Sequence, residues 1–286
     1  MDAEILAAVS GGLGAWAFDR YLPNNTLSRG LGLYQSSSIK SQMPWCSIIE
    51  PYMFGSTGNY ATEIATLVSE FQQPHHLKIG NRPVIYIYLP MLLTNWGGDN
   101  AAGRANFRTA LDALRTATVN AGLGQPIIVV MMGQARDMTY YNAYAADAMT
   151  SYSVGMSEDL DCPFSVLAAR AKQYWADWAA LGAKVVPLVM TGWDRRPIIE
   201  RPFSYDPSQI PFDGMRQYVV YPTNEELRQH FADAVAYVNN NPTICPFPLV
   251  HAYAWNEFSE GGILAPTRGD PTGSKLAAIR DTIRRA

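Results

Sequence analysis

The chain has 286 residues, 48% of them hydrophobic, which is enough for a sizeable core, and its length suits one large domain as well as two small ones. Charged residues make up only 16% and the net charge is −3 with no Lys/Arg run, which speaks against a nucleic-acid partner. No apolar stretch approaches the ~18 residues of a membrane span, and Met1-Asp2-Ala3-Glu4 lacks the basic start of a signal peptide.

Asp2 to Ser10 reads as the second half of an amphipathic helix, ended by Gly11-Gly12-Leu13-Gly14. Ala15 to Phe18 then makes a strand, with Asp19-Arg20-Tyr21 at its C-terminal edge. Gly12-x-Gly14 mimics a dinucleotide-binding loop, but that loop follows a strand and opens a helix, and here the order is reversed. Leu27 to Ser41 is helix-like, weakened by Gly30 and Gly32, and Pro44 to Ile49 is the next strand, with Glu50 at its end. Tyr60 to Phe71 has helical spacing. His75-His76 follows Pro74 in a linker and reads as a solvated loop pair, because no further metal ligands stand near it.

Val84 to Leu89 is a strand closed by Pro90, and a Gly-rich loop, Trp96 to Asp99, leads to a helix from Asn106 to Ala121. Ile127 to Met132 has the composition of a strand buried on both faces, with Gly133-Gln134 after it. Tyr140 to Tyr144 is a short turn or helix, Ala148 to Tyr152 a weak strand, and Phe164 to Leu181 a helix capped by Gly182. Lys184 to Met190 is a strand that ends in Thr191-Gly192-Trp193-Asp194-Arg195-Arg196-Pro197. A long irregular segment from Ile198 to Pro222 follows, and loops of such length usually serve a site. Asn224 to Asn239 is a helix with Glu225 and Glu226 in its first turn. Pro248 to Trp255 is the last strand and Lys275 to Arg285 the closing helix. Gly269 to Lys275 echoes a phosphate loop but has the wrong spacing, so it reads as a turn and helix start. Cys46, Cys162 and Cys245 are isolated and odd in number, and Cys46 and Cys245, in or beside apolar runs, read as core residues.

Strand, loop and helix recur about every 30–50 residues, the alternation of a parallel α/β sheet. About seven strands result, and the chain opens on a helix. A closed (β/α)8 TIM barrel therefore wants one more strand ahead of Met1, from a longer parent chain or from a partner. An open seven-stranded sheet is the alternative. In either form, residues 1–286 read as a single domain.

Parallel strands share one C-terminal face, where such folds place their chemistry. Gathered there are Asp19 and Tyr21, Glu50, Tyr88, Gln134, Trp193 with Asp194 and Arg195, and Trp255 with Asn256, Glu257 and Glu260. Carboxylates and amides suit pairs of hydroxyls, and indole or phenol rings cover the apolar face of a sugar. With no Cys/His cluster among them, neither a metal nor another cofactor is expected. For Asp19 and Asp194 a structural hydrogen bond or helix cap is an equal alternative, and Arg195-Arg196 can be read as partnered surface charges. Glu257 and Glu260 can divide proton donation from proton removal if their surroundings separate their pKa values. The plainer alternative is a helix cap and a first-turn Glu. Trp255-Asn256 before the pair and Gly261-Gly262 after it favour the site.

Trp255-Asn256-Glu257-Phe258-Ser259-Glu260-Gly261 resembles the W-N-E-W-x-E-G signature of glycoside hydrolase family 99 and its relatives. Those relatives include the WbsX-like proteins of polysaccharide gene clusters and, more distantly, family 71. Val186 to Pro197 is similar to the "P…GWD..PR" stretch of that group, and Asp2 to Tyr21 resembles its second β-α region, in the same order. The resemblance implies a (β/α)8 barrel that acts on glycans, endo-acting on α-mannosides with retention. It further implies that Glu257 assists through the substrate's own 2-hydroxyl and that Glu260 is the general acid/base. Phe258 stands where the group has Trp, and the group's first strand lies ahead of the part that matches Asp2. The alternatives are a non-catalytic glycan-binding or structural barrel, and a part in polysaccharide assembly of the WbsX type.

Overall fold

Apolar runs become parallel strands and the amphipathic segments between them become covering helices, because each strand needs both faces shielded from water. The structure, a computed structural model, describes residues 1–22, 24–133, 138–155, 162–202 and 218–283. In chain order the elements are α1 (Asp2–Ser10), β1 (Trp16–Asp19), α2 (Arg29–Ser36), β2 (Trp45–Ile49), α3 (Ala61–Phe71), β3 (Lys78–Ile79), β4 (Arg82–Tyr88) and α4 (Ala101–Asn120). They continue as β5 (Ile127–Met132), α5 (Thr139–Tyr144), β6 (Ala148–Ser151), α6 (Phe164–Ala180), β7 (Leu188–Met190), α7 (Arg196–Glu200) and α8 (Asn224–Asn240). The last are β8 (His251–Tyr253), β9 (Asn256–Glu257), β10 (Gly262–Ile263) and α9 (Ser274–Ile283).

Strands β1, β2, β4, β5 and β6 pair in that order, all parallel, and β7 pairs in parallel with β8. A parallel bridge between Met149 and Val185 carries the array from β6 toward β7. The array curls into a barrel-like form: His251 on β8 faces Tyr86 on β4, with ring centroids 5.5 Å apart. Among the described residues no backbone pairing joins β8 to β1, so hydrogen bonds do not close the ring.

All six residues of β5 are buried. Ile128, Val130 and Met132 join the outer core with Phe107, Leu111 and Leu114 of α4. Ile127, Val129 and Met131 join Cys46, Tyr86 and Val186 in the interior. Each such side chain contributes about 1.5–3 kcal/mol by leaving water. Cys46 and Cys245 are buried and unbridged. Among the described residues no helix is long and apolar enough to cross a membrane.

Several expectations need correction. His76 is not solvated: it is 3% exposed, with its ring 5.5 Å from that of Trp45 and 4.9 Å from that of Phe71. The Trp45 N–H donates to the His75 carbonyl and the Leu77 N–H to the Trp45 carbonyl, so the linker itself joins the edge of β2. Burial pushes the His76 imidazole down to about 4. The helix expected over Leu27 to Ser41 shrinks to α2, because Ser37 turns extended and gives its hydroxyl to Asp2. Helix α4 starts earlier than its periodicity predicts, since the Asn100 side chain accepts from the Ala102 and Gly103 N–H groups. Strands β7 and β8 are shorter than their apolar runs, where Pro187 and Pro248 have no N–H to pair. The segment expected to be irregular opens with α7, and residues 203–217 of it lie outside the described residues.

Candidate active site

The ends of the parallel strands converge, and each delivers a polar or aromatic side chain. Asp19 ends β1 and Tyr21 follows; Glu50 follows β2; Tyr88 ends β4; Tyr152 follows β6; Tyr253 ends β8. Beyond β8, β9 folds back on β10 as an antiparallel hairpin, pairing Glu257 with Gly262. The Glu260 N–H donates to the Glu257 carbonyl at 3.1 Å, so both glutamates stand on a tight hairpin turn. The helix-cap alternative for this pair does not hold.

Each glutamate accepts from a tyrosine. Tyr152 donates its hydroxyl to Glu257 Oε1 at 2.5 Å, and Tyr253 donates to Glu260 Oε2. Arg195 Nε lies 3.9 Å from Glu260 Oε1. Tyr21 donates to Asp19 Oδ2 at 2.7 Å. The rings of Tyr88 and Tyr152 stack with centroids 4.6 Å apart, and Tyr253 meets Tyr152 edge-on at 5.3 Å. Trp193 extends this aromatic surface, 6.1 Å from Tyr253.

Crowded carboxylates in a half-buried place resist ionisation. Burial, opposed by the Tyr21 hydrogen bond and aided by the charge of Glu257, pushes Asp19 up to about 6. Burial and the charge of Asp19 push Glu50 up to about 7. Glu257 is raised by burial and by Glu260, against the opposing hydrogen bond from Tyr152. Burial, then the charges of Asp19, Glu260, Glu50 and Glu257, push the Tyr88 hydroxyl up. Burial and the Glu257 charge raise Tyr152, while burial and the Glu260 charge raise Tyr253. Both tyrosines therefore remain donors throughout the working pH range.

Two glycines set the depth at which the β8 hairpin sits. A Cβ on Gly192 would stand 2.3 Å from the Gly261 carbonyl oxygen, and one on Gly261 would stand 2.7 Å from the Asp194 nitrogen. The absence of side chains lets the Asp194 N–H donate to the Glu260 carbonyl at 2.7 Å. Tyr221 adds a hydroxyl bond to the Gly261 carbonyl at 3.0 Å.

The remaining predicted residues have other surroundings. The Asp194 carboxylate is taken by Arg196, with Nη2 to Oδ2 at 2.6 Å and Nε to Oδ1 at 2.9 Å, and that guanidinium lies 3.5 Å over the Tyr218 ring. The Trp255 ring packs on Trp16 at 5.4 Å, and Asn256 is exposed on β9. Gln134 lies outside the described residues. Tyr152 and Tyr253 were absent from the expected set, because a tyrosine in an apolar run reads as core. Their signal is alternation: Tyr253 stands two residues from inward-facing His251 and so shares its face. Among the described residues no three His, Cys, Asp or Glu side chains are arranged to hold a metal ion. A cavity of about 710 Å³ opens beside the site and reaches Asp19, Tyr21, Asn256 and Glu257.

No protein-family model matches the chain, and no curated protein does. Solved structures do. The GH99 endo-alpha-mannosidase from Bacteroides thetaiotaomicron, in complex with bis-tris-propane, aligns with 99% of this chain and 83% of its own, at TM-score 0.62 and 13% identity. Another structure of that GH99 endo-alpha-mannosidase aligns with 99% and 79%, at TM-score 0.64 and 14% identity. The likeness read from Trp255 to Gly261 thus extends to the path of nearly the whole chain, and this protein has the fold of the GH99 endo-alpha-mannosidase structures.

Proposed function

We propose that the chain is a glycoside hydrolase that cleaves within a polysaccharide or glycan, with retention, on a (β/α)8-type scaffold. The observation that carries this reading is the glutamate pair on the β9–β10 hairpin at the strand ends, with Glu257 bonded to Tyr152 and Glu260 to Tyr253. Fold-mates described as endo-alpha-mannosidases make an α-mannoside the first substrate class to try.

In this reading Glu257 takes the proton of the substrate's 2-hydroxyl while that oxygen attacks the anomeric carbon. Glu260 gives a proton to the departing glycosidic oxygen; it then takes one from a water that attacks the anomeric carbon, which breaks the bond from that carbon to O2, and Glu257 returns its proton to O2. The Tyr152 hydroxyl favours the basic form of Glu257 against the burial that opposes it. Tyr253 aims the Glu260 carboxyl. Asp19, Tyr21, Glu50 and Arg195 bind sugar hydroxyls, with Tyr88, Trp193 and Trp255 offering ring faces and Asn256 and Gln134 amides. Asp194 holds Arg196 and thereby the loop after β7.

The test is reducing-end release from a panel of mannans and α-glucans by the protein and by Glu257→Gln and Glu260→Gln. Both variants are expected to bind glycan and to lose turnover. Undiminished turnover in either rejects the assignment. The capture of each glutamate by a tyrosine also favours a second reading, glycan binding without cleavage. Binding by the unaltered protein with no reducing-end release would select it.

A further inference from the structure

Strand β7 is apolar and buried, and Thr191, the residue that follows it, is 0% exposed like Leu188, Val189 and Met190 before it. A buried hydroxyl costs free energy unless it is hydrogen-bonded. The Thr191 hydroxyl is bonded twice: it donates to the Tyr253 carbonyl at 2.9 Å and accepts from the Ala254 N–H at 3.1 Å. The Thr191 N–H donates to the same carbonyl at 2.8 Å. Main chain alone already ties β8 to the β7 side lower down, where the His251 N–H donates to the Pro187 carbonyl at 2.8 Å. The hydroxyl adds a second hold on Tyr253 and a hold on Ala254, at the point where β8 has ended and the β9–β10 hairpin has not begun.

The ring of Tyr253 is confined as closely as its backbone. A Cβ on Gly262 would stand 2.5 Å from that ring, so glycine there lets the phenol lie directly against β10. Tyr152 meets the ring edge-on, Trp193 lies beyond it, and the phenol hydroxyl donates to Glu260. That hydroxyl stands at the far end of its side chain. A small turn of the Tyr253 backbone therefore becomes a larger displacement at the Glu260 carboxyl.

We propose that Thr191 is a positioning residue whose hydroxyl, by holding the backbone on both sides of the link from Tyr253 to Ala254, fixes the aim of the Tyr253 hydroxyl at Glu260. Thr191 is buried away from any ligand and acts only through Tyr253. Its bearing on turnover rests on the reading of Glu260 as the acid/base, whereas the aim of the phenol can be measured without turnover.

The experiment compares the original chain with Thr191→Val and Thr191→Ala, which remove the hydroxyl, and with Thr191→Ser, which keeps it. Tyrosine labelled with carbon-13 at Cζ reports exchange of each phenol proton with water, and Tyr253→Phe and Tyr152→Phe assign the two signals. Exchange at Tyr253 is expected to quicken about tenfold in the Val and Ala variants and to stay slow in the Ser variant, while Tyr152 is unchanged in all. On a mannoside that the original chain cleaves, kcat should fall about tenfold to a hundredfold in the Val and Ala variants with KM unchanged, and Ser should restore it. Equal exchange at Tyr253 in the original chain and the two variants would overturn the proposal. So would an equal quickening at Tyr152, which marks general loosening, or a Ser variant that exchanges as fast as Ala, which assigns the hold to the methyl group. Full kcat beside fast exchange would likewise remove the positioning role. No turnover by the original chain on any glycan rejects the catalytic reading instead, and the exchange comparison then decides alone.

Discussion

The wall from β2 to β6 and the pair β7–β8 are built on different terms. Strands β4 and β5 hold five residue pairs in register, and every residue of β5 is buried. Strands β7 and β8 share three pairs and then give way to loops. Yet the two glutamates stand on the β8 side, in a hairpin of only two residue pairs. The wall reaches across to hold them: Tyr152 leaves β6 to bind Glu257, and Tyr88 at the end of β4 stacks beneath it. The buried wall and the glutamate hairpin thus lie in separate regions joined by phenol rings.

Substitutions should separate the two regions, and the largest effect belongs to the hairpin. Glu260→Gln is expected to lower turnover about 10³-fold or more, roughly 4 kcal/mol of barrier, with an unchanged melting temperature. Reducing-end assays beside thermal melts check it, and a large loss of stability would show that the hairpin also supports the fold. Ile128→Ala in the wall should do the converse, costing about 2–5 kcal/mol in denaturant unfolding while KM stays unchanged. Tyr152→Phe cuts the tie between the regions. Losing that donor raises Glu257 further, so the acidic limb of the pH–rate profile should move up, with turnover lost at low pH and little changed at high pH.

The smallest effect concerns stability against pH. Asp19 rises from 3.8 to about 6 and Glu50 from 4.5 to about 7, so the folded chain binds these protons more tightly than the unfolded chain. Their contribution is complete below the unfolded values and is lost as pH rises through about 6 and then about 7. Asp19→Asn should flatten that decline in melts run across the range, and should lower the Glu50 midpoint in an NMR titration, because the Asp19 charge helps to raise it. A decline as steep as in the original chain would place its source elsewhere.

The same contrast governs what could be read from the sequence. Strands buried on both faces, such as Ile127 to Met132, announce themselves as unbroken apolar runs, and the glutamate pair stood out by its Trp-Asn and Gly-Gly neighbours. The carboxylates Asp19 and Glu50 were legible as strand-end residues, and the structure brings them together with Glu257. The hairpin that presents the glutamates was not legible, since a two-residue strand has no periodicity. Nor were the tyrosine partners, because Tyr152 and Glu257 are 105 residues apart. His76 misled for a related reason: its burial depends on Trp45 and Phe71, which lie on other elements.

The main-chain contact at Gly192 and Gly261 makes the loop after β7 and the β8 hairpin one mechanical part. In the proposed reading, a sugar ring docking on Trp193 presses on the same body that carries Glu260, through the bond from the Asp194 N–H to the Glu260 carbonyl. In the proposed reading, recognition on that side is geared to catalysis. Diversification of ligand preference would have to proceed on the opposite bank, around Tyr21 and Glu50, where added bulk leaves the gear intact.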